Sequence, residues 1–177
     1  MNPSASDQAI AVRNVTKRYG DFTAVNDLTF DVQRGEIFSM LGPNGAGKTT
    51  TIRMILDILK PDTGQITLFG SPISDRTKER IGYMPEERGL YRNVPVIDVL
   101  GYLGQLKGMS AHDAQTRARA LLEQLGLEEN IKSKVSELSK GMQQKVQVIA
   151  TVIHRPDLVI IDEPFSALDP VNTQLIK

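Results

Sequence analysis

Gly42-Pro43-Asn44-Gly45-Ala46-Gly47-Lys48-Thr49 spells G-x-x-x-x-G-K-[ST] in full. Glycines at these positions let the main chain curl until successive N–H groups point inward, a geometry that fits phosphate oxygens. The Lys48 ammonium is expected to reach the β- and γ-phosphates, and the Thr49 hydroxyl to ligate Mg²⁺. Thr50, next along, opens a helical pattern whose first amides add a field favourable to anions. A turn that binds nothing has no need of a lysine and a hydroxyl at those two places. The expected ligand is a nucleoside triphosphate with Mg²⁺.

Two further clusters have the right chemistry. Leu158-Val159-Ile160-Ile161 runs into Asp162-Glu163-Pro164. A carboxylate at the end of such a strand can hold a magnesium hydration shell, and a second one beside it can orient or deprotonate an attacking water. Taken alone, the same residues also read as a core strand leaving into an acidic turn. Leu138-Ser139-Lys140-Gly141-Met142-Gln143 precedes a helical pattern, with Ser139 placed as an N-cap and Gly141 in the first turn. By itself that arrangement is also an ordinary cap.

Elements must bring these clusters into position. Ile37 to Leu41 reads as a buried strand entering the glycine loop, and Thr50 to Leu59 as the helix leaving it, stopped by Lys60-Pro61-Asp62-Thr63-Gly64. Ahead of them, Ile10–Tyr19 and Val25–Val32 alternate around Gly20-Asp21, which predicts an antiparallel pair. Gln65–Phe69 and Ile81–Met84 are further strands. From Pro95 the period changes, and Val96–Lys107, Ser110–Leu125 and Ser139–His154 carry helix-spaced apolar residues. Ser110-Ala111-His112-Asp113 has the form of a capping box, placing His112 in an exposed first turn. His154 falls at a helix C-terminus, where positive charge suits the dipole. Leu158–Ile161 reads as a buried strand. Strands, then helices, then a strand predict an α/β core with an inserted helical part.

Composition sets the outer limits. The length of 177 residues suggests one domain. Lys and Arg balance Asp and Glu at 21 each, so no global charge calls for nucleic acid. With no cysteine there is neither a disulfide nor a thiolate metal site, which fits an intracellular setting. No apolar run is long enough to cross a bilayer, so a membrane role requires a partner.

Between Tyr19 and Asp169 these residues together resemble the ATP-binding cassette ATPases. Gly42–Thr49 is similar to the Walker A loop, and Leu158–Glu163 to Walker B with Glu163 as catalytic base. Ser139, Lys140, Gly141 and Met142 resemble the family signature, and Ser166, Ala167, Leu168 and Asp169 the D-loop. Tyr19 stands where the family stacks an aromatic ring on adenine, and Val25 is expected to pack on the same site. Without the resemblance, Tyr19 reads as a surface residue at a strand end.

The implied fold is α/β, a P-loop NTPase core with an N-terminal antiparallel β-subdomain and an inserted α-helical subdomain. The implied boundaries are 1–86 plus 155–177 for the core and 87–154 for the helical part, within one nucleotide-binding domain over 1–177. The resemblance implies ATP and Mg²⁺ as cofactors, and ATP hydrolysis coupled to transport. It also implies a transmembrane permease partner, a second cassette closing head to tail as homodimer or heterodimer, and a peripheral place on the cytoplasmic face of the cell membrane. In such a pair, Ser139 and Gly141 of one cassette meet the ATP held by the other.

Three departures qualify the match. Glu86 stands where the family usually has glutamine; a carboxylate there is expected to contact Mg²⁺, unless the charged run is only a solvated loop. Lys140 and Met142 replace the commonest glycine and glutamine of the signature. Together with Glu86 this resembles a branch that serves export-type permeases. Lastly, the family's γ-phosphate histidine lies on a strand beyond Asp169, whereas this sequence stops at Lys177. The expectation is a C-terminally incomplete cassette, its Ile37–Leu41 edge unpaired, that binds ATP better than it hydrolyses it. Other classes remain: a non-hydrolysing binding fragment, a DNA-maintenance ATPase, or a translation-associated cassette protein. The absence of long heptad arrays and of a basic stripe counts against DNA.

Overall fold

Gln8–Tyr19 forms strand β1, an inner strand with a neighbour on each side, and its apolar run from Ala9 to Val12 is buried throughout. The computed structural model describes residues 8–86 and 89–162. β2 (Phe22–Gln33) pairs antiparallel with one side of β1, and β3 (Thr63–Leu68) with the other. The short β4 (Ser71–Pro72) adds to β3, giving the order β2-β1-β3-β4. Tyr19 pairs with Phe22 across the Gly20-Asp21 turn, where Gly20 supplies φ 58°. Within the β1–β2 ladder the register shifts, and Asn14 and Asp27 both adopt positive φ. The Asn14 amide donates to the Asp27 carboxylate at 2.9 Å, which offsets some of the backbone cost.

Helix α1 (Lys48–Ile55) follows the glycine loop, and α2 (Asp75–Lys78) is a single turn. α1 ends before its expected limit at Leu59. Leu56 caps it, Asp57 takes φ 63°, and the N–H groups of Ile58 and Leu59 both bond to the Arg53 carbonyl. The chain thus turns out of the helix before Pro61 is reached. Asp57 is held by Lys60 and Lys78, and the Lys60 hydrogen bond is the main cause of its lowered pKa.

A division into two compact units falls between Lys78 and Glu79. In the second unit β5 (Ile81–Met84) and β6 (Leu158–Ile161) pair in parallel, in register from Ile81–Leu158 to Met84–Ile161. Parallel neighbours need a long crossover. Helices α3 (Val96–Leu106), α4 (Ala111–Gln124) and α5 (Lys140–Val152) occupy it. Their apolar faces meet around Val96, Leu100, Leu122, Leu127, Val146 and Ile149. α5 lies directly on β5: a Cβ added at Gly82 would collide with the Thr151 carbonyl.

Two expected buried strands differ from the sequence reading. Ile37–Leu41 has no ladder partner among the described residues, and Ile37 and Leu41 are 96% and 93% exposed. Without a neighbouring strand an apolar run has nothing to bury it. Phe38 does stack on Phe30, centroids 5.1 Å apart. β6 forms as expected but is half-buried, with Val159 and Ile161 exposed, because β5 is its one described neighbour.

Candidate nucleotide-binding site

The glycine loop curls as its sequence requires. Gly45 and Gly47 take φ of 83° and 84°, and Ala46 N–H closes a turn onto the Pro43 carbonyl at 3.2 Å. Gly47 is doubly constrained. Besides its positive φ, a Cβ there would strike the Ala24 carbonyl and come within 3.1 Å of Val25 Cγ2. Val25, buried in β2, therefore backs the loop directly. Gly47 also caps α1: its carbonyl accepts from Thr51 N at 2.8 Å and from Thr51 Oγ1 at 2.9 Å. The opening amides of α1, around Thr49 and Thr50, have no intrahelical partner and are available to an anion.

Lys48 Nζ donates to the Gly42 and Pro43 carbonyls at 2.8 and 3.1 Å. Its ammonium is folded over the loop's own cradle, in the space a polyphosphate tail would share with it. Gly42 to Ala46 are solvent-exposed, so the cradle is open.

Tyr19 ends β1 with its ring 48% exposed, available for stacking, and Lys17 Nζ lies 5.8 Å from the ring centroid. Asp62 fixes this strand end. It accepts from Lys17 Nζ at 2.9 Å and from Arg18 N–H at 2.7 Å, and these contacts hold its carboxyl below the usual range. The sequence reading treated Asp62 as part of a helix stop and left Lys17 without a role. An acid after Pro61 gave no local sign of a partner so far away in the chain.

Asp162, in the second unit, is 4% exposed and follows β6, its N–H bonding to the Met84 carbonyl at 2.9 Å. Since Met84 pairs with Ile161, Asp162 and the turn Met84-Pro85-Glu86 stand at the carboxyl ends of adjacent strands. This brings two of the expected oxygen donors to one edge. Among the described residues no group of three or more His, Asp or Glu side chains converges. Thr49 in the first unit, and Asp162 and Glu86 in the second, each offer oxygen, the donor chemistry that fits Mg²⁺, most of whose shell is commonly filled by water and phosphate oxygens.

Ser139 is the N-cap of α5, its hydroxyl accepting from Met142 N–H at 3.2 Å. Lys140, Gly141 and Met142 form the first turn, and Gln143 Nε2 donates to the Leu138 carbonyl at 2.9 Å. Ser110 caps α4 in the same way, accepting from Asp113 N–H at 3.1 Å; His112 is exposed in its first turn. His154 departs from its expected role as a charged helix end. Burial, reinforced by the nearby Lys107, depresses its pKa despite a bond to the Ile81 carbonyl. Nε2 lies 3.1 Å from that carbonyl, which can only accept, so Nε2 carries a proton. Glu163 and the D-loop, Ser166, Ala167, Leu168 and Asp169, lie outside the described residues.

Comparison with known proteins places this arrangement. A family model described as ABC transporter matches residues 25–166. The chain is 48% identical over 168 residues to "Uncharacterized ABC transporter ATP-binding protein YhaQ" of Bacillus subtilis, covering 95% of this chain and 56% of that one. It is 42% identical over 170 residues to "Nod factor export ATP-binding protein I" of Burkholderia lata, covering 94% and 56%. Among solved structures it is similar to cbiO1 from Clostridium perfringens, part of the ABC transporter complex cbiONQ. That match has TM-score 0.83 and 25% identity, over 96% of this chain and 71% of the other. An ATP binding subunit of an ABC transporter matches with TM-score 0.82 and 34% identity, over 92% and 69%. Thus the chain spans little more than half the length of those two curated relatives.

Proposed function

This chain belongs to the ABC transporter family of ATP-binding proteins, and from that premise we propose that it is an ATP-binding and ATP-hydrolysing subunit that powers an export-type transporter. The observation that carries the reading is the glycine loop. Its two left-handed glycines, the ammonium of Lys48 over the cradle and the open amides of α1 form a receptor for a polyphosphate tail. Tyr19 and Val25 line the base side, with Tyr19 offering its ring to adenine. Thr49 and Asp162 would each offer an oxygen to Mg²⁺, which when bound would compensate phosphate charge. Glu163 orients and deprotonates the attacking water.

Closure needs a second cassette, whose Ser139 and Gly141 cover the nucleotide bound by the first. ATP then joins the two cassettes and hydrolysis releases them, passing an open–close stroke to a transmembrane permease at the cytoplasmic face of the membrane. No helix among the described residues is long and apolar enough to cross a membrane. The export direction is supported by the relatives named for Nod factor export and by the Glu86 and Lys140–Met142 variants.

Calorimetry with Mg·ATP tests the reading. The chain should bind with measurable heat, and Lys48→Ala, still folded by circular dichroism, should lose most of it. Equal heats in the two proteins would overturn the assignment. Glu86 is read as a metal contact that couples the site to the permease. Glu86→Gln should therefore raise the Mg²⁺ concentration needed for half-maximal ATP turnover in the full-length protein, and superimposable titrations would remove that role.

A further inference from the structure

Helix α5 presents a polar face at every fourth residue, where Gln143, Gln147 and Thr151 follow one another. Each is engaged. Gln143 Nε2 holds the Leu138 carbonyl just ahead of Ser139. Thr151 Oγ1 bonds to the Gln147 carbonyl at 2.9 Å, and its own carbonyl lies against Gly82 of β5. Gln147, only 7% exposed, sends Nε2 to the Pro85 carbonyl at 3.1 Å, bridging 62 residues of sequence. Pro85 directly precedes Glu86.

A buried amide is retained at a cost unless it is bonded, and a leucine or methionine would fill the same volume against a strand. The glutamine here grips the main chain at the one point where β5 gives way to the Glu86 turn. We infer that Gln147 is a positioning residue that ties the Glu86 turn to the helix capped by Ser139, so that the two segments move as one body. The functional half of this rests on the ATP-driven closure proposed above. A contact made by Ser139 across a cassette pair would then be felt at Glu86 through a rigid helix rather than through the intervening loops.

Hydrogen exchange and self-association test it on the full-length protein. Without nucleotide, Gln147→Met should speed exchange at the Asp162 amide, which donates to the Met84 carbonyl next to Pro85, about fivefold, the effect of losing one bond of ~1 kcal/mol. Gln147→Glu keeps the shape but loses the donor and should do at least as much. Gln144→Met, the same change one step round the helix, should do nothing there. With turnover arrested by Glu163→Gln, added Gln147→Met should weaken Mg·ATP-driven self-association several-fold while leaving Mg·ATP affinity unchanged. A purely structural role would lower affinity, association and melting temperature together, and that pattern overturns the inference. So does unchanged exchange at the Asp162 amide in the nucleotide-free Gln147 variants. Failure of the ATP reading has its own signature, an absence of any Lys48-dependent heat.

Discussion

His154 gives the second unit a pH dependence with a definite sign. Its folded pKa is depressed, so the stability it contributes is present above its unfolded value of about 6.5 and is lost as pH falls from there through the lower folded value. The melting temperature should therefore drop between pH 7.5 and 5.5. His154→Gln, which keeps a donor for the Ile81 carbonyl, should flatten that slope, and an unaltered profile would place the cause elsewhere. The sequence showed this histidine after a helix but not its surroundings. Burial and the approach of Lys107, whose Nζ donates to the same carbonyl at 3.2 Å, come from packing between residues far apart in the chain. Lys48 and Thr49 stand at the other extreme. Their spacing from the glycines fixes a local backbone form, so the loop was legible from eight consecutive residues.

At the scale of elements, two helices start in the same way and are expected to differ in consequence. Ser110 and Ser139 both accept from the amide three residues on. Replacing either by alanine should cost about 1 kcal/mol in urea unfolding. Only Ser139→Ala should also weaken ATP-driven self-association; equal behaviour of the pair would reduce Ser139 to a cap. The three long helices were read to within two residues, because a 3.6-residue period and polar caps act over one turn. Ile37–Leu41 was expected to have an unpaired edge, but its reading as a buried strand failed for the opposite reason. Composition reports the preference for burial, while burial itself depends on which strand lies alongside. α1 stopped early through Asp57, whose positive φ is stabilised from two sides by Lys60 and Lys78. Only one of those lysines was near enough in sequence to be noticed.

For the whole molecule, the unit of function in this reading is a pair. In the full-length protein Glu163→Gln should retain Mg·ATP binding and lower phosphate release by at least ~100-fold, the contribution of a general base. The arrested protein should double its mass in Mg·ATP during size-exclusion chromatography with light scattering and revert on adding EDTA. Persistent phosphate release would count against Glu163 as base. Balanced charge gave no reason to expect nucleic acid, and the motifs together pointed to a permease and a second cassette; the identity of the permease in this reading depends on surfaces that no motif encodes. One further consequence belongs to Gly82. A lone hydrogen atom is the spacer between α5 and β5. Any bulkier substituent would wedge the helix outward and stretch Gln147 away from its carbonyl, so the absence of a side chain at one position sets how faithfully a tug at one end is delivered to the other.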